Sequence, residues 1–190
     1  SMLEYYAPVY YTIATAEASA NLARYTGIRY GYRTEYAENP EELVRKTRSE
    51  GFGEEVQLRI LLGTYVLRSG FQEQYYQRAQ RIRTAIRNDF DKAFQKVEVI
   101  LSPVFPTQAF QHGSLGLDPF QQKVADRFTT AANLAGIPAL SIPAGIEGGL
   151  PVGLQFMAPV CQENRLFQVA RKTSTMFPPQ FPSAFHPPWS

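Results

Sequence analysis

A chain of 190 residues, 44% of them hydrophobic and 13% aromatic, is long and apolar enough to bury a core and too apolar to remain disordered. Its 19 Lys and Arg against 17 Asp and Glu give a formal charge of +2, which does not indicate a nucleic-acid partner. The single cysteine, Cys161, excludes an internal disulfide and favours a reducing compartment. We predict that it is a small packed residue after a strand.

Two uncharged stretches, 99–117 and 128–146, have the length of a membrane helix, but two prolines interrupt each of them. We therefore expect no membrane span, and the N-terminus shows no secretory signal. Residues 1–2, Ser-Met, resemble a cloning scar before a chain that starts within a longer protein, which predicts a fragment.

The predicted elements begin with four helices. The first, over 8–25, is rich in Ala, Ser and Thr, so its backbone can lie close to a neighbour. The second starts at a capping box, where Asn39 is the N-cap, Pro40 the first helical residue and Glu42 the third, and it ends at Gly51. The third and fourth helices are predicted over 53–69 and 71–97.

Apolar runs of strand length, bounded by Pro or Gly, predict strands over 97–104, 139–146 and 152–158. A helix from Asp118 to Ala135, stopped by Gly136, is predicted after the first strand, and another over 163–176 after the third. The order ααααβαββα predicts an α/β fold with a mixed sheet covered by helices. Only five of the 36 charged residues lie in 99–162, so we expect that segment to be buried on most sides.

The sequence holds no P-loop and no HExxH, CxxC or GxSxG motif, and we expect no metal site. Two charged residues are candidates for binding. Arg59 either pairs with Glu55 one helical turn away or directs its guanidinium into a pocket that receives a carboxylate. Asp126, predicted in mid-helix, either belongs to a solvated polar strip and pairs with Lys123 or holds a cation at the start of an uncharged region.

Longer strings resemble the C-terminal part of the A subunits of tRNA-dependent amidotransferases, which are amidase-signature enzymes. The resemblance covers residues 3 to about 176. It rests on EASANLARY (17–25), GIRYGYR (27–33), RSEGFGEEV (48–56), LLGTY (61–65), ILSP (100–103), ANLAG (132–136), SIP (141–143) and GLPVGLQ (149–155). It implies an amidase-signature fold for residues 3–177 and leaves a proline-rich tail at 178–190.

The resemblance implies a protein that hydrolyses glutamine and supplies ammonia for converting Glu-tRNA(Gln) or Asp-tRNA(Asn) to the amidated form. The family's Lys-Ser-Ser triad lies in an N-terminal part that this chain lacks, so we expect the chain alone to be inactive. Expected partners are glutamine, the B and C subunits and, through the complex, misacylated tRNA. ATP and Mg²⁺ are expected at a partner protein of the complex, with no cofactor in this chain and a cytoplasmic location.

By position in the motifs, Arg59 resembles the family's carboxylate-binding arginine, Asp126 its ammonium-binding aspartate and Tyr10 a tyrosine that lines the same pocket, although Tyr11 lies beside it. We therefore predict that Arg59 and Asp126 face one concavity with Tyr10 on its wall. Two alternatives are another amidase-signature hydrolase and a noncatalytic binding or scaffold module. If strands are missing from the sheet, we also expect an exposed apolar edge through which copies self-associate.

Overall fold

The computed structural model describes residues 2–110 and 125–176. Its helices and strands follow the predicted order. The elements are α1 (Leu3–Leu22), α2 (Pro40–Gly51), α3 (Glu54–Leu67), a π-helical turn (Gln72–Gln77), α4 (Arg78–Phe94), β1 (Ile100–Pro103), α5 (Arg127–Ala135), β2 (Ala139–Glu147), β3 (Leu150–Met157) and α6 (Glu163–Met176). The chain divides into two compact units, Val9–Arg81 and a second formed by Ser1–Pro8 with Ile82–Ser190. The predicted tail, 178–190, lies outside the described residues.

The helical unit, Val9–Arg81, depends on local polar caps. The Asn39 side chain accepts a hydrogen bond from the Glu42 amide at 2.9 Å, as the capping box predicts. The other half of the box is displaced by one residue, because the Glu42 carboxylate accepts from the amide of Glu38 at 2.8 Å. At the end of α1, the Arg48 guanidinium donates to the Leu22 carbonyl at 2.7 Å and so satisfies a terminal carbonyl of that helix.

Helix α1 begins five residues before its predicted start and contains Pro8. The buried Ala7 and Val9 flank this proline, which indicates that packing outweighs the one lost backbone hydrogen bond. The predicted single helix over 71–97 is wrong at its first turn, which is the π-helical segment Gln72–Gln77. There Phe71 stacks on Tyr65 with ring centroids 4.7 Å apart, an aromatic contact that helical periodicity does not reveal.

The sheet has the order β1-β3-β2, and both described strand pairs are antiparallel, so the mixed sheet that we predicted is not seen in this part of the chain. The β2–β3 turn at Gly148 and Gly149 accounts for the antiparallel β2–β3 pair, because a two-residue connection joins antiparallel strands only. Both glycines have positive φ, 58° and 81°, as tight hairpin turns require. Helix α5 ends at Gly136, whose φ of 69° makes it the predicted stop.

One sheet face packs against α6 through the buried residues Ile142, Phe156, Ala158 and Leu166. We predicted that residues 99–162 are buried on most sides. This is wrong at the edge of the sheet and at the end of the β2–β3 hairpin. Leu101, on the edge strand β1, is 55% exposed, and Leu150 and Val152 at the hairpin end are also exposed. An apolar sequence run therefore marks strands here but does not guarantee that a layer of this chain covers them. Self-association through this edge stays a prediction.

Cys161 is also not the packed residue that we predicted. It is exposed and has a φ of 59°, in the turn between β3 and α6. The turn is closed by a hydrogen bond from the Gln162 amide to the Pro159 carbonyl at 3.0 Å. The side chain is exposed because the chain reverses direction immediately after the last buried strand residues.

Candidate functional site

Arg59 lies in the second turn of α3 and forms the ion pair that the sequence suggested. Its Nε donates to Glu55 Oε1 at 2.9 Å, and the two side chains are 41% and 56% exposed. An exposed pair at this spacing stabilises a helix by only about 0.3–0.5 kcal/mol. Its consequence is therefore mainly geometric, because it fixes the direction of the guanidinium.

The aromatic residue at this guanidinium is Tyr11. The Arg59 Cζ lies 6.0 Å from the centre of the Tyr11 ring, at the outer range of a cation–π contact. Tyr10, the residue that the family motif indicated, packs edge-on against Tyr11 with ring centroids 5.6 Å apart. In the described structure Tyr11 is thus the tyrosine within cation–π range of Arg59, and Tyr10 packs against Tyr11.

A close approach of α1 to α3 sets this arrangement. A Cβ added to Gly63 would overlap the Thr15 carbonyl oxygen, so only glycine fits there. One turn further along, Ser19 and Thr64 share a hydrogen bond of 2.9 Å between their hydroxyls. The prediction that small residues let the first helix approach a neighbour is confirmed, with Gly63 as the matching residue on α3.

The same contacts contain a sequence signal for Tyr11. Tyr11, Thr15 and Ser19 lie four residues apart on α1; Tyr11 is near Arg59 on α3, and Thr15 and Ser19 both lie at Gly63, one turn later on α3. Residues four apart lie on one helix face. The small-residue pattern on α1 therefore points to Tyr11 rather than Tyr10 as the neighbour of Arg59.

Asp126 is the N-cap of α5, and its backbone forms a turn with ψ of 4° between the helical residues Ala125 and Arg127, so the helix that we predicted through Asp126 is interrupted there. Its carbonyl accepts hydrogen bonds from the Thr129 hydroxyl at 3.0 Å and from the Thr130 hydroxyl at 2.9 Å. Threonine hydroxyls that bond to the preceding turn compete with regular helical bonding and bend the backbone. The partner suggested by sequence, Lys123, lies outside the described residues.

Arg59 and Tyr10 belong to the helical unit and Asp126 to the sheet unit. The predicted common concavity for Arg59 and Asp126 therefore stays a prediction. A groove of about 450 Å³ also runs beside α3, between Phe52, Leu58 and Leu61. Its lining residues do not include Arg59.

The sequence did not reveal that the sheet unit contains a buried polar residue. Gln155 on β3 is only 5% exposed and lies opposite Ser102 of β1 and Ser141 of β2. Its amide nitrogen donates to the Phe128 carbonyl at 3.0 Å and to the Ser102 hydroxyl at 3.3 Å. Gln155 thus ties α5 to the sheet face opposite the apolar core, which positions the segment that begins with Asp126.

In residues 2–110 and 125–176, no three His, Cys, Asp or Glu side chains are grouped so that they could hold a metal ion. No helix in the same ranges is both long enough and apolar enough to cross a membrane.

The amidase family profile matches residues 1–167 of the chain. The chain is 56% identical over 162 residues to the A subunit of the glutamyl-tRNA(Gln) amidotransferase of Synechococcus sp. (strain RCC307), a match that covers 85% of this chain and 33% of that protein. The same-named protein of Heliobacterium modesticaldum is 55% identical over 167 residues, covering 88% and 34%. The chain therefore spans about a third of the length of the curated relatives that it matches.

Solved structures agree with these sequence relatives. The A subunit of the glutamyl-tRNA(Gln) amidotransferase of Thermotoga maritima matches with a TM-score of 0.59 and 30% identity, over 94% of this chain and 36% of that one. A crystal structure described as an amidase matches with a TM-score of 0.68 and 23% identity, over 93% and 36%, which shows the shared fold alone.

Proposed function

This chain belongs to the amidase family, and from that premise we propose that it supplies the glutamine-recognition part of the A subunit of a tRNA-dependent amidotransferase. The observation that carries the proposal is the state of the Arg59 guanidinium. Glu55 binds its Nε, Tyr11 lies against it, and its two terminal nitrogens make no hydrogen bond to another described residue. A planar pair of N–H donors is thus left for a carboxylate.

Glutamine differs from a simple amide in carrying an α-carboxylate and an α-ammonium. An enzyme that selects it therefore needs a cationic fork for the first group and a carboxylate for the second. In our proposal Arg59 binds the carboxylate, Asp126 binds the ammonium and Tyr10 lines the pocket. An amide substrate that lacks both charges would gain nothing from Arg59 or Asp126.

We assign substrate binding to this chain and catalysis to the part of the relatives that the chain does not match. The Lys-Ser-Ser triad expected of the family would come from the other two thirds of the amidase domain, so this chain alone binds without catalysis. Ammonia released from glutamine would serve the conversion of Glu-tRNA(Gln) or Asp-tRNA(Asn) in a complex with B and C subunits. ATP and Mg²⁺ would belong to a partner protein of the complex, and the location would be cytoplasmic.

The test uses a hybrid protein in which this chain replaces the matching third of the Synechococcus relative, assembled with the other members of the complex. We expect Arg59→Ala to raise the KM for glutamine about 10- to 100-fold, because a charge-assisted contact of about 1.5–3 kcal/mol is lost. Asp126→Asn should also raise the KM for glutamine. Amidation supported by added ammonia should be unchanged, since ammonia bypasses the glutamine site.

Three outcomes would oppose the proposal. An unchanged glutamine KM in Arg59→Ala would favour an amidase whose substrate carries no carboxylate at this position. Equal loss of the glutamine-supported and ammonia-supported reactions would indicate that Arg59 stabilises the assembly instead. Glutamine-dependent ammonia release by the purified 190-residue chain would show that it does not depend on a nucleophile supplied elsewhere.

A further inference from the structure

We propose that Glu55 is a positioning residue, which holds the Arg59 guanidinium so that its outer edge faces a substrate carboxylate. This inference rests on the proposed function of Arg59 and adds a residue to it. The starting observation is that Glu55 contacts the guanidinium at Nε only, with 2.9 Å between Nε and Oε1.

The geometry of the guanidinium explains why this contact is compatible with binding. Arginine has five N–H donors, one on Nε and four on the two terminal nitrogens. A carboxylate that takes Nε leaves the end-on pair of terminal nitrogens available for a second, bidentate carboxylate. Glu55 and the substrate would therefore occupy different edges of one planar group and would not compete for the same hydrogens.

The surroundings of Arg59 show why a positioning contact is needed. The side chain is 41% exposed, and a long exposed arginine samples many rotamers unless something holds it. The Tyr11 ring limits motion on one side, with 6.0 Å between its centre and the Arg59 Cζ. Glu55 supplies the remaining restraint from one turn earlier on α3, a helix that Gly63 holds against Thr15.

A competing role for Glu55 predicts that the glutamine KM changes in the opposite direction when Glu55 is removed. If Glu55 occupied the carboxylate site, the substrate would have to displace it, and removing Glu55 would lower the glutamine KM. If Glu55 positions the guanidinium, its removal lets Arg59 move and raises the KM. The direction of the change therefore decides between the two roles.

The experiment compares Glu55→Ala, Glu55→Gln and Glu54→Ala in the same hybrid protein. Glu54 is the matched control, because it is an exposed carboxylate in the same first turn of α3. We expect Glu55→Ala to raise the glutamine KM about twofold with kcat unchanged, since an exposed pair of this strength orients the guanidinium by no more than that factor. Glu55→Gln, whose amide oxygen still accepts from Nε, should leave the KM of the unsubstituted hybrid unchanged, as should Glu54→Ala.

The outcomes separate this inference from the proposed function. If Arg59→Ala raises the glutamine KM but Glu55→Ala leaves it unchanged or lowers it, the positioning role is wrong and the function of Arg59 stands. If Arg59→Ala has no effect, the proposed function itself is wrong. A fall in kcat equal to the change in KM, or no rescue by Glu55→Gln, would indicate a structural role for Glu55.

A direct measurement on the 190-residue chain covers the case in which a hybrid fails to assemble. In the unsubstituted chain, the Arg59 Nε–H signal in a ¹⁵N NMR spectrum should be shifted from that of an arginine without a hydrogen bond. It should also exchange slowly with solvent. It should remain so in Glu55→Gln and Glu54→Ala, and lose both properties in Glu55→Ala. An unchanged signal in Glu55→Ala would overturn the proposal.

Discussion

The two units of the chain are stabilised in different ways. In the helical unit, Val9–Arg81, the side-chain hydrogen bonds are mostly exposed, as in the Asn39 cap and the Glu55–Arg59 pair, and they accompany buried apolar residues such as Ile13. The sheet unit has an apolar core around Ile142 and Phe156, and the amide nitrogen of its buried Gln155 is engaged in hydrogen bonds.

The comparison shows what holds Arg59, the proposed binding residue, in place. Surface ion pairs contribute little to the free energy of folding, so the backbone beneath Arg59 sets where the residue lies and the pair with Glu55 affects only the direction of its guanidinium. That backbone is fixed where Gly63 meets Thr15 with no space for a methyl group. In the sheet unit, a single hydrogen-bonded glutamine fixes the start of α5 instead.

The largest expected effect on the free energy of unfolding comes from breaking the contact between α1 and α3. Gly63→Ala places a Cβ onto the Thr15 carbonyl oxygen, so α1 and α3 must separate. We expect it to lower the free energy of unfolding by about 2–4 kcal/mol, despite the better helix propensity of alanine. Urea denaturation measures this, with Gly53→Ala as the control, because nothing lies within 4 Å of a Cβ at that glycine. Equal effects for the two variants would show that the close approach does not hold the helices.

An intermediate effect tests the sheet unit. Gln155→Leu removes the donor to the Phe128 carbonyl, so α5 loses this hydrogen bond to the sheet. The expected loss in the free energy of unfolding is about 1–3 kcal/mol. The exposed Gln168 on α6 is the control position, where the same substitution should change stability by less than about 0.5 kcal/mol. A neutral Gln155→Leu would mean that apolar packing alone holds α5 on the sheet.

The smallest effect concerns pH and the helical unit. The hydrogen bond from the Glu38 amide, followed by that from Lys46, holds the pKa of Glu42 below its ordinary value. A lowered folded-state pKa contributes stability above the ordinary value, and that contribution is lost as the pH falls through the lowered one. The free energy of unfolding should therefore fall less on acidification in Glu42→Gln than in the unsubstituted chain. Identical pH profiles would contradict this.

Local rules predicted much of the fold, because caps and stops act over a few residues. The Asn39 cap, the Gly136 stop and the range 163–176 of α6 are confirmed. Long-range features were not available from the sequence. The antiparallel pairing of β1 with β3 and the burial of Gln155 depend on partners about 50 residues away.

In the candidate site, too, the local contact was predictable from the sequence and the long-range contact was not predicted. The pairing of Arg59 with Glu55 is a contact within one helix, and i,i+4 spacing predicts it. The contact between Arg59 and Tyr11 joins two helices, and the family motif pointed to Tyr10 instead. The α1–α3 approach at Gly63 decides which tyrosine faces the arginine. The four-residue spacing of Tyr11, Thr15 and Ser19 carries that signal in the sequence, and the family motif does not.

The central claim is that Arg59 binds the α-carboxylate of glutamine, and the most direct test varies that one group on the ligand. The hybrid protein and its Arg59→Ala variant would be assayed with glutamine and with glutamine whose α-carboxylate is replaced by a carboxamide. Removing Arg59 should reduce kcat/KM for glutamine by about 10- to 100-fold and leave the value for the carboxamide nearly unchanged, because only the first ligand has the charge that Arg59 binds. An equal reduction for both ligands would contradict the claim.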